Sequence, residues 1–298
     1  MKLRVTHRTR FSYGAPVRES FNEARLQPLN SPRQACHNFT LRVEPQPRVL
    51  TFADFYHNTV HQFEVMAPHT ELVVEAVSVV TTTEAPGLAV DAATGKLGIM
   101  TPQAHAERCF DYLQPSTYVD ATRELAGIAQ QATGGETDAW QAAQALMDYV
   151  HREFHYQPAA TTAHTHMREV MLTRAGVCQD FAHVMLGLCR SVQLPARYVS
   201  GYLYNGPAET LKGAQASHAW VEAFIPNLGW LGLDPTNNQV VSGRHVKVAV
   251  GRDYADVPPI KGTYRGTGKR TMTVDVLVTR EEETAGAATQ SQAQTFAL

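Results

Sequence analysis

Residues 174–183, Arg-Ala-Gly-Val-Cys-Gln-Asp-Phe-Ala-His, constrain the fold more than any other segment of the chain. They lead into the apolar stretch 181–194, whose hydrophobic residues recur at helical spacing. Cys178 therefore lies at the first turn of a predicted helix, where backbone N–H groups point outward and the helix dipole favours negative charge. A thiol so placed is a ready nucleophile. The alternative is a small buried hydrophobe, as most free cysteines are, and this segment by itself leaves both open.

Two downstream segments favour the nucleophile. Residues 216–226 carry His218, and residues 229–236 carry Asp234. Both segments are apolar and aromatic and are joined by turn residues, which predicts two antiparallel strands. A Cys followed by a His and an Asp on adjacent strands supplies a nucleophile, a base and a group that orients the base. We therefore interpret Cys178, His218 and Asp234 as a catalytic triad.

This triad makes a geometric demand on the turn between the strands. An even two-residue loop would place Asp234 opposite Val221, on the sheet face away from His218. A three-residue loop, or a bulge at Gly229, shifts the register by one residue and places Asp234 opposite Trp220, diagonal to His218 on the same face. Such diagonal neighbours lie about 7–8 Å apart at Cα, within reach of two side chains. We therefore predict an odd loop or a bulge.

The order of these residues and their local contexts resemble the transglutaminase-like superfamily of papain-like cysteine enzymes, and within it the bacterial branch. The resemblance implies an α+β fold, in which an N-terminal β-sandwich precedes a catalytic domain. In that domain a helix carrying the Cys packs on an antiparallel sheet carrying the His and the Asp. The segments that carry the resemblance are 176–183, 195–202, 217–222, 229–230 and 234–236.

The same resemblance implies an oxyanion-stabilising group upstream of the nucleophile. Tyr156 matches the aromatic residue of the bacterial motif, and Gln157 is the other candidate donor. The backbone N–H of Cys178 would be the second donor, because a helix N-terminus suits a developing oxyanion. A polar segment, residues 205–215, is the candidate for a loop over the cleft.

Three further side chains are expected to line the cleft. The negative charge of Asp180 would stabilise the N-terminus of the predicted helix. We expect its side chain to point away from the thiol and to pair with Arg197. Trp220 and Trp230 flank the His and Asp positions, where indole rings would exclude water and strengthen the His218–Asp234 interaction. Packing in the hairpin core is the alternative for both rings.

The length of 298 residues predicts two domains, since it exceeds what one hydrophobic core usually supports. Residues 1–100 contain short strands separated by turn residues and are predicted to form the β-sandwich. Residues 101–118 are a connector and residues 119–279 the catalytic domain. Residues 280–298 have little apolar content and are predicted to be a disordered tail.

Composition narrows the classes of partner and cofactor. The net charge is −2 with scattered basic residues, which argues against nucleic acid or an anionic membrane as a partner. No apolar run reaches ~18 residues and the N-terminus lacks a signal-like apolar region, so the expected location is the cytoplasm. The four cysteines have no paired zinc spacing, and no EF-hand-like loop occurs, so neither a metal nor an organic cofactor is expected.

The function that these observations favour is cysteine-dependent acyl transfer on peptide or amide bonds through a thioester, with a peptide or protein as substrate. A cysteine peptidase or amidase is preferred on the resemblance to the bacterial branch. A protein-glutamine transglutaminase is the first alternative, because the outcome depends on whether the cleft admits an amine before water. A non-catalytic binding protein on the same fold is the second. The sequence predicts no oligomeric state.

Overall fold

The computed structural model describes residues 1–84, 95–97, 107, 109–206, 211–213, 217–281 and the backbone of 293–297. Within these residues no helix has the length and apolar character needed to cross a bilayer. Outside the described residues lie 85–94 and 98–100 of the predicted β-sandwich, 101–106 and 108 of the predicted connector, 207–210 and 214–215 of the predicted loop, and 282–292 and 298 of the predicted tail.

The described elements fall into a β-rich part and a mixed part. The strands are β1 (Lys2–Ala24), β2 (Gln34–Glu44), β3 (Val49–Ala53), β4 (Thr59–Val65), β5 (His69–Thr82), β6 (His155–Tyr156), β7 (Ala175–Gly176), β8 (Ala196–Leu203), β9 (His218–Ile225), β10 (Gly229–Asp234), β11 (Gln239–Val240), β12 (His245–Gly251), β13 (Ile260–Arg265), β14 (Arg270–Arg280) and β15 (Ala293–Ala297). The helices are α1 (Arg123–Thr133), α2 (Ala139–Glu153), α3 (Met167–Thr173) and α4 (Cys178–Ser191), with short 3-10 turns at Phe110–Leu113 and Tyr254–Asp256.

The N-terminal part is a curled antiparallel sheet organised by β1, a strand of 23 residues. The first half of β1 pairs with β5 and β14, and its last residues pair with β4 and β13. Buried and exposed residues alternate along its first half, as the period of a half-buried strand requires. Because one long strand serves both halves, the sheet folds over a core that includes Phe11, Leu26, Phe63 and Leu72.

The domain boundaries predicted from the sequence need correction. Strand β14 pairs with β1 from Leu3↔Arg280 to Tyr13↔Arg270, so the chain returns to the N-terminal sheet after the mixed part. A strand pattern at 272–278 is visible in the sequence, but its pairing partner lies about 270 positions away and leaves no local signal. The prediction of a disordered tail is also wrong for Ala293–Ala297. These residues form β15, which pairs with β14.

The mixed part places α4 against a five-stranded antiparallel sheet of order β11-β10-β9-β8-β12. The ends of the first two helices are set by local capping residues. Asp138 accepts hydrogen bonds from the N–H groups of Trp140 and Gln141 at the start of α2, and Gly134 ends α1 in the left-handed conformation. Helix α4 is buried nearly all round, which fixes its first residue relative to β9.

The turn between β9 and β10 has the odd length that the triad requires. Ile225 pairs with Gly229 across a three-residue loop, in which Asn227 adopts a positive φ of 69°. The last pair of this ladder is Leu233↔Val221, so Asp234 comes next in register, opposite Trp220. The predicted register is therefore confirmed.

The two parts of the chain are joined by side-chain amides that complete the edge strand β12. Asn58 receives the N–H of Val250 at 2.7 Å and donates to its carbonyl at 2.8 Å. Gln34 does the same for Lys247, at 2.8 Å and 2.7 Å. An open edge leaves backbone groups unpaired, and these two amides satisfy them where β12 departs from regular pairing.

Replacing Gly201 by Ala should lower the free energy of unfolding by about 1–3 kcal/mol, because the site has no room for a methyl group. A Cβ on Gly201 would lie 2.5 Å from the Trp220 ring and collide with the carbonyl oxygen of Val246. Urea denaturation followed by tryptophan fluorescence measures the change. In the control, Gly127→Ala in α1, the new methyl meets nothing within 4 Å, and stability should rise by about 0.5–1 kcal/mol. A Gly201→Ala protein as stable as wild type would contradict this packing.

Candidate active site

Helix α4 begins at Cys178, and the extended backbone of Val177 precedes it. Cys178 is 8% exposed, so its thiol lies at the bottom of a closed site. The side chain of Asp180, one turn into the helix, folds back to accept the N–H of Val177 at 2.8 Å and the hydroxyl of Thr161 at 2.5 Å. The first turn of the helix is thus held by its own third residue.

The predicted pairing of Asp180 with Arg197 is wrong. Asp180 is 1% exposed, and burial raises the pKa of its carboxyl in spite of the hydrogen bonds from Thr161 and Val177. Arg197, its predicted partner, instead binds Glu222 through Nε and Nη2 at 2.8 and 2.6 Å. A carboxylate on the third residue of a helix can accept hydrogen bonds from the unpaired N–H groups at the helix start. Here these local donors bind Asp180 in place of the distant Arg197.

His218 and Asp234 meet at the same end of the sheet. Nε2 of His218 lies 2.9 Å from Oδ2 of Asp234, and both side chains are completely buried. The same Oδ2 accepts Nδ2 of Asn237 at 2.8 Å and Nε2 of His245 at 3.3 Å, while Oδ1 accepts the N–H groups of Thr236 and Asn237. Burial alone would raise the pKa of Asp234, but its bonds to the two imidazoles hold that pKa far below the usual range.

The imidazole of His218 is set up to carry a positive charge. Burial alone would lower its pKa, but the charge and hydrogen bond of Asp234, together with Cys178, raise the pKa to about 10. Since Nε2 is engaged by Asp234, Nδ1 is the nitrogen left to interact with the thiol of Cys178. His218 is therefore held between a fixed carboxylate and the thiol.

Gly213 closes the site from the outside. A Cβ on this residue would lie 2.6 Å from Nδ1 of His218 and 3.7 Å from Cβ of Cys178, and its φ of +80° is a conformation that glycine adopts without strain. Residues 211–213, which together with 205–206 are the described part of the predicted loop, thus lie over the Cys178–His218 pair.

Two asparagines hold this loop by its backbone. Asn237 receives the N–H of Lys212 at 2.9 Å and donates to its carbonyl at 3.2 Å. Asn205 does the same for Leu211, at 2.8 Å and 3.1 Å. Because Asn237 also donates to Asp234, the loop over the site is connected directly to the carboxylate beneath it.

The two candidates for the oxyanion donor differ in position. Strand β6 pairs in parallel with β7, which puts Tyr156 opposite Gly176, two residues before Cys178. Burial, and next the nearby Cys178, raise the pKa of Tyr156 to about 12, so its hydroxyl keeps its proton at neutral pH. Gln157 donates its backbone N–H to the carbonyl of Gly176 at 2.8 Å, but its side chain is exposed.

The two tryptophans lie in different places. Trp220 is buried beside His218, with ring centroids 6.1 Å apart. Trp230 lies near the other end of the hairpin, where it packs against Tyr112 and Phe224 and under the guanidinium of Arg197. Its described contacts belong to hairpin packing, so its predicted place at the cleft is corrected.

Two residues of the site were missed by sequence reasoning. Asn237 follows Asp234 in a run of turn-forming residues, Asp-Pro-Thr-Asn-Asn, which favours side-chain bonds to nearby backbone and could have been noticed. His245 carries no such signal. It lies on β12, which is separated from the strand of Asp234, β10, by β9 and β8.

His218, Asp234 and His245 are also the residues whose geometry could hold a metal ion. Their ligand atoms lie within 4.8 Å of one another, and all three are buried. Here, however, both Nε2 atoms are directed at Oδ2 of Asp234 as hydrogen-bond partners. A metal between them would have to displace both contacts and would occupy the nitrogen through which Asp234 orients His218, so the site fits hydrogen bonding better than coordination.

A thiol at a helix N-terminus, facing a His–Asp pair on an antiparallel sheet, is the arrangement of papain-like cysteine enzymes. Comparison with known proteins agrees with this class. Residues 126–235 match the transglutaminase-like superfamily, and residues 3–81 match the bacterial transglutaminase-like N-terminal region. The chain therefore belongs to the transglutaminase-like superfamily, in its bacterial form with the N-terminal region.

Individual relatives support the same assignment. An uncharacterised protein of Mycobacterium leprae is 34% identical over 94% of this chain and 99% of its own length, and one of Mycobacterium tuberculosis is 35% identical over 93% and 91%. A protein-glutamine gamma-glutamyltransferase of Pseudomonas aeruginosa is 34% identical over 41% of this chain and 20% of its own length. The crystal structure of a candidate cysteine protease from Cytophaga hutchinsonii, 20% identical, shares the fold with a TM-score of 0.73 over 100% of this chain and 91% of that chain.

Replacing Asp234 by Asn should slow the alkylation of Cys178 by iodoacetamide near neutral pH about tenfold or more, since an imidazole whose pKa falls one unit below the working pH is charged in only about one molecule in ten. Without the carboxylate charge, burial dominates and the pKa of His218 falls, so a neutral imidazole no longer stabilises a thiolate. Peptide mapping of the alkylated protein across the pH range measures the rate. The control is Asp148→Asn, which alters an exposed ion pair with Arg152. Superimposable profiles for Asp234→Asn and wild type would contradict the electrostatic coupling.

Proposed function

We propose that the protein catalyses acyl transfer on peptide or amide bonds through a thioester on Cys178, with water as the usual acceptor, and thus acts as a cysteine peptidase or amidase. The observation that carries the proposal is His218, held between Cys178 and the buried carboxylate of Asp234. A binding protein on this fold would gain nothing from burying a charged carboxylate beneath a histidine, because such burial costs several kcal/mol unless it is compensated.

The reaction follows from the roles of these three side chains. The proton of the Cys178–His218 pair is held on Nδ1 of His218, whose raised pKa favours the charged imidazole, and the Cys178 sulfur attacks the carbonyl carbon of the substrate. The tetrahedral intermediate expels the amine, which takes the proton from His218 as it leaves. Neutral His218 then removes a proton from water, the resulting hydroxide attacks the thioester, and the sulfur leaves as the acid product forms. Asp234 keeps the imidazole oriented and stabilises its charged form throughout.

The oxyanion of this intermediate would be stabilised by two donors. One is the backbone N–H of Cys178 at the start of α4, where the helix dipole also favours negative charge. The other is the hydroxyl of Tyr156, which stays protonated at neutral pH and lies near Cys178. The exposed side chain of Gln157 is less suited to this role.

A protein-glutamine transglutaminase is the second candidate. Its supporting observation is the match to the Pseudomonas gamma-glutamyltransferase over 41% of this chain. The two reactions share the acyl-enzyme and differ in the group that resolves it. An amine must reach the thioester before water, and it would have to enter past residues 211–213.

One assay distinguishes these reactions. A peptide containing glutamine is incubated with the protein, with and without a fluorescent primary amine, and the products are identified by mass spectrometry. We expect chain cleavage or ammonia release, which the amine reduces only slightly. Amine incorporation that outruns hydrolysis would establish the transglutaminase instead.

The matched controls are two cysteine variants. Cys178→Ala should abolish every product, whereas Cys189→Ala should retain activity, because Cys189 is buried in α4 and burial raises its pKa to about 12. Turnover that survives Cys178→Ala would overturn the proposed reaction.

Replacing Tyr156 by Phe should lower kcat about 10- to 100-fold while leaving KM nearly unchanged, because an oxyanion donor acts mainly in the transition state. The ring and its contact with Phe181 remain in this variant. Steady-state kinetics on the best substrate from the product assay gives both constants. Gln157→Ala is the matched comparison and should change kcat little. If the Gln157 variant shows the larger loss, the assignment of the donor is reversed.

A further inference from the structure

The hydrogen bonding of Asp234 points to an additional member of the site. His245 opens β12, is 4% exposed, and places Nε2 3.3 Å from Oδ2 of Asp234. That oxygen is the one that receives Nε2 of His218. Two imidazoles on different strands therefore share one carboxylate oxygen.

The proton on His245 can be located from its other nitrogen. The backbone N–H of Ser242 points at Nδ1 of His245 at 3.3 Å, so Nδ1 is an acceptor. A neutral imidazole with an accepting Nδ1 carries its hydrogen on Nε2, and His245 consequently donates to Asp234. Burial lowers the pKa of His245, and Asp234 offsets this only in part, so the ring is neutral where His218 is charged.

The rings of His218, Trp220 and His245 pack against one another. The centroid of His245 lies 5.2 Å from that of Trp220 at an angle of 75° and 6.1 Å from that of His218, and the centroids of Trp220 and His218 are also 6.1 Å apart. The charged groups that face His245 are Asp234 and His218. Arg197, Glu222 and Lys247 line a cavity of about 450 Å³ that His245 also borders, but they form ion pairs with one another.

We propose that His245 is a positioning residue, which donates a fixed hydrogen bond to Oδ2 of Asp234 and so holds the carboxylate in the orientation that His218 requires. It acts through Asp234 and touches neither Cys178 nor the substrate. The backbone N–H groups of Thr236 and Asn237 hold Oδ1, and donors from β9, from β12 and from Asn237 converge on Oδ2, so His245 supplies one of the three bonds that set the position of the oxygen facing His218. Because it stays neutral, His245 contributes this bond without adding a second positive charge that would compete with His218. This inference rests on the proposed function of the Cys178, His218 and Asp234 set.

Two variants test the role. His245→Gln keeps a side-chain N–H donor but has no ring that can titrate, and His245→Phe keeps an aromatic ring but has no donor. We expect His245→Phe to slow alkylation of Cys178 near neutral pH about tenfold or more, since small displacements of a reacting group are costly. His245→Gln should recover most of that rate. Thermal melts establish that each variant is folded.

The opposite ranking would overturn the proposal. If His245 only fills space, Phe should be tolerated at least as well as Gln. If His245 itself transfers protons, Gln should fail as badly as Phe. Equal rates for wild type and both variants would also exclude the role.

A measurement on the wild-type protein needs no variant. In protein labelled with ¹⁵N-histidine, NMR at about pH 7 to 8 should show His245 as a neutral ring protonated on Nε2, because burial lowers its pKa below the ordinary value. A ring that becomes charged in this range, or that is protonated on Nδ1, would overturn the assignment even if the variants do not fold.

These outcomes are separable from those of the proposed reaction. Alkylation and NMR require no substrate, so the His245 assignment can hold although no acyl transfer is found. Conversely, activity that depends on Cys178 but is equal in wild type, His245→Gln and His245→Phe would preserve the reaction and remove the positioning role.

Discussion

The buried carboxylate of Asp234 is the interaction on which the rest of the site depends. An ionised carboxylate without solvent is costly, and here five hydrogen bonds offset the cost: two from imidazoles, one from the Asn237 amide and two from backbone N–H groups. The consequence reaches His218, whose pKa rises to about 10. It also reaches the loop over the site, because Asn237 binds both Asp234 and the backbone of Lys212.

Geometry, rather than composition, brings Asp234 to His218. The three-residue loop between β9 and β10 sets a register in which the two side chains share one face of the sheet. A shift of one residue would turn Asp234 to the other face and leave His218 without its partner. The site also requires a residue without a side chain at Gly201, since this leaves room for the ring of Trp220 beside His218.

The N-terminal part of the chain is more than a neighbour of the catalytic part. Strand β12 carries His245, and its backbone is completed by the amides of Gln34 and Asn58 from the N-terminal part. Strand β14 then returns the chain to β1. The N-terminal part thus supports the strand that presents His245 to Asp234, which gives it a structural role in the site in addition to any effect on which substrates enter.

The sequence by itself determined the features that depend on neighbouring residues. Helix caps at Asp138 and Gly134, the helix that begins at Cys178, and the odd turn before Gly229 all follow from local chemistry and spacing, and the structure has them. The partner of Asp180, the place of Trp230, the pairing of β14 and the contact of His245 with Asp234 were decided by the tertiary structure. Each of these involves either a competition between a local and a distant partner or a meeting of strands far apart in sequence. Side-chain type and spacing do not encode such outcomes, because the energy that selects them arises only when the elements pack together.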